Sequence, residues 1–497
     1  MNSSNKTSPS HPRLSSDINH WDIDTDVAII GFGGAGACAA IEAADAGAKV
    51  DLFELASASG GSTALSSAEI YMGGNGGTAV QQACGYSDDT ENMLSYLRAC
   101  FGNQADEAKL RSYCENSLNH YQWLTGLGVP FKMSELKERA IMALTDDCLL
   151  YTGNEKAYPF PEAAQPIPRG HNLEIEGDNG GPLLMKILTE AVADRGVNVH
   201  YESRALTLII DDNQEVVGVV VRVDQEEINV RARRGVILCA GGFCMNEEMV
   251  RKYAPTFDCG LTPIGNPGDT GSGILMGQGV GAATVNMHEC FVSLPYYPPS
   301  SLTYGILIND KGQRFINEDC YHGRVGYNTL LEQRNSKRIY LVTDVAGYGD
   351  YEKMSYLGAQ VAGTGDTIEE LEGELELPAG SLDYTLSSYN RHAAEGQDPS
   401  YHKSAEWLRP IEAPYVALDC TLGRGPFYPF FTLGGLDSLP TGEVLNTGGE
   451  VIAGLYAAGR TTAGIPRTAS GYASGMSVGD ATYFGRLAGQ TAAKRDC

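Results

Sequence analysis

The sequence has few basic residues for its acidic content, with 36 lysines and arginines against 62 aspartates and glutamates in 497 residues. The formal charge of −26 argues against a nucleic acid or an anionic membrane surface as partner, because both attract clustered basic side chains. No apolar run approaches the length of a membrane span, so we expect no transmembrane segment. Residues 1–20 are polar and rich in serine, which predicts a disordered tail and not a signal peptide.

Metal-binding and disulfide patterns are also missing. The nine histidines show no H-x₃-H or H-E-x-x-H spacing, so no metal site is expected. The twelve cysteines include no C-x-x-C pair and no haem attachment motif, which indicates buried, reduced thiols. Without a leader sequence, such thiols favour a cytoplasmic protein. A chain of this length exceeds most single hydrophobic cores and predicts two domains.

Residues 26–54 contain a pattern of strand, tight turn, helix and strand. Gly31, Gly33 and Gly36 have the G-x-G-x-x-G spacing, and Glu54 ends the second strand. In such a unit the first glycine permits the turn, the second lets the backbone approach a pyrophosphate, and the third lets the helix pack on the strand. The helix N-terminus favours the phosphates, and the carboxylate can accept hydrogen bonds from a ribose. The pattern predicts a dinucleotide-binding, Rossmann-like unit.

The glycine pattern alone does not distinguish NAD from FAD. A second loop of small residues, 58–68, follows the acidic residue and would bring more backbone to an extended cofactor, which favours FAD. We find no second unit with the same glycine spacing, so direct reduction by NADPH through its own nucleotide domain is not expected. The sequence leaves the electron acceptor unidentified.

The remaining hydrophobic patterns of the sequence predict structural elements without an assigned function. They predict helices within 91–127 and 182–195, and an antiparallel meander at 205–210, 216–223 and 227–232 that leads into a separate buried strand from 234. Two clusters of aromatic residues and proline, 293–299 and 426–431, suit either a flat apolar ligand or ordinary loop packing.

Six motifs along the chain resemble the FAD-dependent flavoprotein family that contains fumarate reductase, the succinate dehydrogenase flavoprotein subunit and the 3-ketosteroid dehydrogenases. They lie at 31–36, 60–63, 240–242, 269–273, 305–315 and 454–459. The resemblance implies an α/β protein, with a Rossmann-like FAD-binding domain made of residues 21–284 and 432–497. It implies an inserted α+β substrate domain at residues 285–431.

The same resemblance implies the cofactor-binding residues. They are Gly31, Gly33, Gly34, Ala35, Gly36, Glu54, Gly61, Ser62, Thr63, Ala205, Gly241, Gly459 and Ser474. Ser62 falls near the place where members with covalently bound flavin carry histidine, so the resemblance implies noncovalent FAD.

The resemblance also bears on the substrate. In fumarate reductases the loop before the last helix carries an arginine that binds the substrate carboxylate, and Tyr472 takes that place here. A neutral phenol suits a neutral substrate and can exchange a proton. Tyr472, Ser474 and Tyr321 resemble the catalytic residues of the 3-ketosteroid dehydrogenases that introduce the 4,5 double bond. The resemblance therefore implies a 3-oxo-5α-steroid 4-dehydrogenase, with Tyr472 as base and the other two as proton relay.

Three other interpretations remain open at the level of sequence. The first is a 3-ketosteroid 1-dehydrogenase from the same family. The second is a fumarate-reductase-like reductase of an unsaturated carboxylate, for which Arg467 is a possible anion contact. The third is a noncatalytic flavin-binding protein, in which Tyr472 is a packed aromatic residue and Ser474 caps a helix.

Overall fold

The structure, a computed structural model, describes residues 7–141 and 143–496. Its strands are β1 (Arg13–Leu14), β2 (Ile23–Ile30), β3 (Val50–Phe53), β4 (Ile70–Tyr71), β5 (Leu149–Leu150), β6 (Gly170–His171), β7 (Asn198–His200), β8 (Arg204–Ile210), β9 (Val216–Val223), β10 (Glu226–Leu238), β11 (Thr262–Pro263), β12 (Thr284–Val285), β13 (Cys290–Val292), β14 (Ile306–Asn309), β15 (Ile339–Asp344), β16 (Gln360–Gly365), β17 (Tyr415–Asp419), β18 (Pro429–Thr432), β19 (Gly435–Leu436), β20 (Glu443–Leu445) and β21 (Val451–Ala457). Its helices are α1 (Gly34–Asp45), α2 (Ala79–Ala83), α3 (Thr90–Phe101), α4 (Glu107–Gly126), α5 (Gly180–Asp194), α6 (Glu247–Tyr253), α7 (Ser272–Gly279), α8 (His322–Glu332), α9 (Val345–Tyr348), α10 (Tyr351–Met354), α11 (Ile368–Glu374), α12 (Ser381–Ala393) and α13 (Met476–Lys494).

A nine-stranded sheet joins the two ends of the chain. The order β1-β8-β9-β10-β2-β3-β7 forms its main path, and β21 pairs with β10 and β20. The strands β10, β2, β3 and β7 pair in parallel, as does β21 with β10. Residues 27–30 of β2 and all four residues of β3 are buried, as parallel strands usually are. The α/β class expected from the sequence is confirmed.

The strand β10 corrects one prediction. The sequence suggested a meander strand at 227–232 and a separate buried strand from 234, but the structure has one strand, Glu226–Leu238. A bulge between Ala232 and Gly235 accommodates the break in the pattern. Besides its pairing with β2, the first half of β10 pairs with β9 and its last three residues pair with β21.

A separate antiparallel sheet lies in the inserted part of the chain, with the order β14-β15-β17-β16. The motif at 305–315 contributes the strand β14, and a single bridge joins Ile308 to Arg314. Near the predicted domain boundaries, β12 pairs with β19, and β13 pairs with β18. Paired strands therefore lie where the chain leaves and re-enters the large sheet, and the boundaries at 284/285 and 431/432 stay predictions.

The first and last helices pack closely through small residues. A Cβ atom at Gly485 would lie 2.4 Å from the Ala35 carbonyl oxygen, and one at Gly489 would lie 2.2 Å from that of Ala39. Only glycine permits this approach of α13 to α1. The C-terminal segment is thereby fixed beside the glycine turn near the N-terminus.

The disordered tail predicted at residues 1–20 is wrong for residues 7–20. Arg13 and Leu14 pair with Ile209 and Ile210 of β8, and Arg13 forms an ion pair with Glu227. The short strand adds to an existing sheet edge, a long-range contact that a polar composition does not reveal. Residues 1–6 of the predicted tail lie outside the described residues.

The cysteines within the described residues are free, and most are buried, with Cys84 partly exposed and Cys259 exposed. Among residues 7–141 and 143–496, no helix combines the length and the apolar character needed to span a bilayer. The same residues hold no cluster of three or more side chains arranged to bind a metal ion.

Candidate active site

The glycine turn between β2 and α1 forms one wall of a large cavity. Gly31 has a φ of +102°, and a Cβ atom there would lie 2.4 Å from the Cys239 carbonyl oxygen, so the turn requires glycine. Gly33 is the N-cap of α1 and supplies no capping side chain. Gly33, Gly34 and Ala35 line the cavity, so the N-terminus of α1 faces it with its positive dipole end.

A second loop approaches the same turn. The Gly34 amide donates a hydrogen bond of 3.1 Å to Thr63 Oγ1, and a Cβ at Gly61 would lie 3.3 Å from Gly33 Cα. The backbones of the two loops thus meet with little side-chain bulk between them. This is the bare backbone surface expected around a pyrophosphate.

The cavity has a volume of about 650 Å³. Nearly all of the site residues expected from the sequence line it: Gly31, Gly33, Gly34, Ala35, Glu54, Gly61, Ser62, Thr63, Ala205, Gly241, Tyr321, Gly459, Tyr472 and Ser474. Gly36 is the exception, because it lies beneath the turn. A Cβ atom there would be 1.9 Å from the Gly31 carbonyl oxygen, so this glycine serves the packing of helix on strand.

Two carboxylates of the cavity, Glu54 and Asp269, have hydrogen-bond or ion-pair partners. Glu54 accepts hydrogen bonds from the Phe32 amide at 2.7 Å and the Ala56 amide at 2.8 Å. Ser62 donates to Asp269 at 2.6 Å, and Arg460 forms an ion pair with the same carboxylate. The Asp269 charge is therefore balanced at the wall of the cavity.

Tyr321 and Ser474 form a direct hydroxyl pair at the other end of the cavity, with their oxygens 2.8 Å apart. Tyr321 immediately precedes α8, and Ser474 lies in the turn before α13, whose N-cap is Gly475. The alternative interpretation of Ser474 as the helix cap is therefore wrong. The Tyr472 hydroxyl does not join this pair but donates to Ser477 Oγ at 2.9 Å.

Burial shifts the proton affinities of these groups. It raises the pKa of Tyr472 to about 12, although the Ser477 hydroxyl and Arg460 act against the shift. It raises the pKa of Tyr321 well above its ordinary value, an effect that nearby Tyr472 reinforces. His322, which also lines the cavity, has its pKa lowered by burial to about 3 and stays neutral. Neither tyrosine is readily ionised at neutral pH without a proton acceptor nearby.

Aromatic rings enclose the hydroxyl groups. Phe291 of β13 pairs in register with Phe431 of β18, and their rings stack with centroids 4.7 Å apart. The Tyr472 ring lies 4.8 Å from Phe291 and 5.6 Å from Phe431. This end of the cavity therefore has a mainly apolar wall with hydroxyl groups at one point, which suits a flat apolar ligand.

Of the two aromatic clusters noted in the sequence, only 426–431 reaches the cavity, through Phe431. Tyr296 and Tyr297 of the other cluster are buried in a core beside β14 and β15. Arg467, the possible anion contact, does not line the cavity either. It donates to Asp106 at 2.8 Å and to the Gly464 carbonyl, so its charge is already compensated.

Sequence reasoning missed Glu69, a buried carboxyl group in the cavity wall. Its side chain lines the cavity, and its Oε1 atom has no hydrogen-bond partner among the described residues. Sequence reasoning also missed the Asp269 and Arg460 ion pair and Phe291. For Glu69 the only signal is an acidic residue inside an apolar run, at Ala68-Glu69-Ile70-Tyr71.

A family model described as FAD binding domain matches residues 26–475, which is most of the chain. The chain belongs to this FAD-binding family. It is an FAD-dependent oxidoreductase, and its fold is the flavoprotein fold that the family's fumarate reductases and steroid dehydrogenases share.

Three relatives place the chain within this FAD-binding family. A probable fumarate reductase of Shewanella frigidimarina is 28% identical over 489 residues, covering 95% of this chain and 75% of the relative. The 3-oxo-5-alpha-steroid 4-dehydrogenase of Comamonas testosteroni is 26% identical over 504 residues, covering 90% of this chain and 94% of the relative. The solved structure of 3-ketosteroid-Δ4-(5α)-dehydrogenase from Rhodococcus jostii RHA1, in complex with 4-androstene-3,17-dione, is 43% identical. It has a TM-score of 0.91 and covers 97% of this chain and 100% of that chain.

The residues of the cavity fit the FAD that the family binds. The bare turn at Gly33 and Gly61 and the N-terminus of α1 match the needs of a pyrophosphate. Glu54 lies at the end of β3, where a carboxylate can accept hydrogen bonds from a ribose. The cavity continues from there to the aromatic end, so a cofactor and a substrate can lie in one continuous space.

Proposed function

We propose that this protein is a 3-oxo-5α-steroid 4-dehydrogenase that introduces the 4,5 double bond into 3-keto-5α-steroids. The observation that carries the proposal is the Tyr321–Ser474 hydroxyl pair, which lies with Tyr472 in an aromatic pocket where fumarate reductases carry an arginine. The similarity to the Rhodococcus jostii enzyme, at 43% identity over almost the whole chain, supports the same assignment.

The substrate's own chemistry explains the need for these hydroxyl groups. A 3-ketone acidifies the hydrogens on carbon 4, so a base can remove one of them while carbon 5 gives up a hydride. FAD, when bound, supplies the hydride acceptor. Tyr472 is the proposed base for the carbon 4 proton, and Ser474 and Tyr321 hold or relay that proton. This relay requires the Tyr472 hydroxyl to turn from Ser477 to the Tyr321–Ser474 pair. The stacked Phe291 and Phe431 rings exclude water and orient the flat steroid.

Two finer assignments belong to this proposal. Ser62 is engaged with Asp269 and Asn266 and offers no imidazole for attachment, which supports noncovalent binding of FAD. The free thiols within the described residues favour a reducing compartment such as the cytoplasm.

The proposal is tested by mixing the FAD-loaded enzyme anaerobically with 5α-androstane-3,17-dione and following loss of the oxidised flavin absorbance. The wild type should bleach rapidly and form the 4-ene product, identified by mass spectrometry and NMR. Tyr472→Phe should bleach about 10²- to 10⁴-fold more slowly, the usual contribution of a positioned acid or base. Tyr384→Phe, at a tyrosine that is 79% exposed, is the matched control and should react as the wild type does.

Other products would overturn the proposal. A 1-ene product would identify a 1-dehydrogenase. The steroid could instead fail to bleach the flavin of the wild type. If fumarate or another unsaturated acid then reoxidised the reduced flavin, the protein would be a reductase.

A further inference from the structure

The hydroxyl groups of the pocket lack an obvious final proton acceptor. Burial raises the pKa of Tyr472 and of Tyr321, so neither phenol ionises readily. A neutral hydroxyl that takes the carbon 4 proton must release its own proton at the same time. His322 is a poor acceptor because its pKa is lowered to about 3.

Glu69 lies where such an acceptor is needed. It precedes β4, and the backbone of β4 packs directly on the turn that carries Ser474. The Tyr71 amide donates to the Gly475 carbonyl at 3.1 Å, and a Cβ at Gly475 would lie 3.1 Å from the Glu69 carbonyl carbon. Only 3% of Glu69 is exposed, and its side chain lines the same cavity as Ser474.

Two other carboxylates of the cavity, Glu54 and Asp269, are already occupied. Glu54 accepts two backbone hydrogen bonds, and Asp269 is held by Ser62 and Arg460. Oε1 of Glu69, in contrast, is buried without a hydrogen-bond partner in the part of the chain that the structure describes. A buried, unpartnered carboxyl oxygen is costly and is typically retained for a functional reason.

We propose that Glu69 is the final proton acceptor for the hydroxyl groups of Tyr472, Tyr321 and Ser474, and that Asp178 passes the proton on to solvent. Asp178 lines the same cavity and is exposed, so it connects the buried carboxyl to water. The inference rests on the proposed steroid dehydrogenation and assigns a further residue to it.

The carbon 4–hydrogen bond breaks, its electron pair becomes the new double bond, and the proton passes through the hydroxyl groups until the Glu69 carboxylate becomes a carboxylic acid. The hydride from carbon 5 goes to FAD, the acceptor of the proposed reaction. Loss of the proton through Asp178 restores the Glu69 carboxylate.

The charges around Glu69 set the pH at which it can act. Burial raises its pKa to about 8, the side chain of Ser474 lowers it, and the charges of Asp178 and Glu155 raise it further. Glu155 is itself engaged, accepting from the Tyr71 hydroxyl at 2.8 Å and the Gly153 amide at 2.9 Å. Because the carboxylate is the active form, the rate should rise with pH through about 8 and then level off.

The experiment is the rate of flavin bleaching by 5α-androstane-3,17-dione, measured from about pH 6 to about pH 10. The wild type should show the rise near pH 8. Glu69→Gln should lose the rise and react at least about 10²-fold more slowly, while it still binds FAD. Glu155→Gln, at a second buried carboxyl outside the cavity, should keep the rise but move it to lower pH, because the charge of Glu155 also raises the pKa of Glu69.

Asp178→Asn is a second variant at an exposed position, so its folding should not be affected. Removal of that negative charge should move the rise to lower pH at low ionic strength. Three results would each overturn the inference. Glu69→Gln could keep the wild-type rate or pH profile, the wild type could show no rise near pH 8, or the rise could stay at the same pH in Asp178→Asn.

A spectroscopic measurement separates this inference from the proposed function. In the FAD-loaded protein without steroid, infrared difference spectra should show a buried carboxylic acid that titrates near pH 8 and is absent in Glu69→Gln. A wild type that does not react with the steroid would refute the proposed function. Absence of the titrating carboxyl band would refute the role of Glu69 whatever the substrate.

Discussion

Glu69 and Tyr472 face the same cavity, and burial raises the pKa of both. The two shifts have different consequences at neutral pH. Tyr472, with a pKa of about 12, remains a neutral phenol, whereas Glu69, with a pKa of about 8, exchanges its proton close to physiological pH. A group poised in this way can act as a proton acceptor and still release the proton to solvent.

The raised pKa of Glu69 makes stability depend on pH. In the unfolded chain its pKa is near the ordinary 4.5, so the folded state loses stability as pH rises from there to about 8. Glutamine carries no charge and avoids this loss. We expect Glu69→Gln to unfold at a higher temperature than the wild type at about pH 9. The variant's free energy of unfolding should be larger by an amount on the order of a few kcal/mol, and this difference should shrink towards about pH 5.

Thermal unfolding of both proteins at saturating FAD, followed by circular dichroism, gives this comparison. Glu155→Gln is the control. Burial raises the pKa of Glu155 as well, but its carboxylate accepts two hydrogen bonds, so this variant should melt below the wild type at about pH 5, where Glu69→Gln should not. A Glu69→Gln protein that melts below the wild type at the higher pH would contradict the prediction.

Single residues were predictable from the sequence where a motif fixes their place. Gly31, Gly33 and Glu54 follow from the spacing of a strand, turn and helix, and the structure places all three at the cavity. Glu69 was not predictable, because its position depends on β4 packing against Gly475, some four hundred residues later in the chain. Phe291 likewise reaches the pocket through its pairing with Phe431.

At the scale of elements, the turn from β2 into α1 depends on Gly36. The helix has no free space at that position, since a Cβ would lie 1.9 Å from the Gly31 carbonyl oxygen. We expect Gly36→Ala to push the helix from the turn, reduce FAD occupancy after purification, and lower the free energy of unfolding by about 1–3 kcal/mol. The flavin-to-protein absorbance ratio and denaturant unfolding measure both effects.

Gly373→Ala is the matched control for this substitution. Gly373 also lies within a helix, α11, but a Cβ there meets no atom within 4 Å. Alanine should stabilise that helix slightly and leave FAD binding unchanged. Equal FAD occupancy in the two variants would show that the close packing at Gly36 is not required.

Most elements of the FAD-binding part were predictable because their patterns are local. The helix predicted at 182–195 is α5, and the meander strands are β8, β9 and the first half of β10. The union of two predicted strands in β10 was not predictable, because the choice depends on β21, which arrives from the other end of the chain. The sheet of β14 to β17 is also built from distant pairings.

At the scale of the whole molecule, one cavity is lined by residues from Ile30 to Ala481. The large sheet likewise combines strands from both ends of the chain, and α1 packs on α13. The segments that line this cavity are therefore distant in sequence and close in space. A ligand that contacts all of them stabilises the folded arrangement of the whole chain.

Removal of FAD should therefore destabilise the entire protein and not only one loop. If binding is noncovalent, mild chaotropic dialysis should release FAD, and its return at 100 times the dissociation constant should restore about 2.7 kcal/mol of stability. Intrinsic fluorescence gives the midpoint temperature of thermal unfolding, and its dependence on FAD concentration gives this increase in stability. Riboflavin is the control ligand. It lacks the pyrophosphate and adenosine, for which we propose the α1 N-terminus and Glu54 as binding groups, so it should restore much less. Flavin that stays with the denatured polypeptide, or a midpoint independent of FAD, would contradict this account.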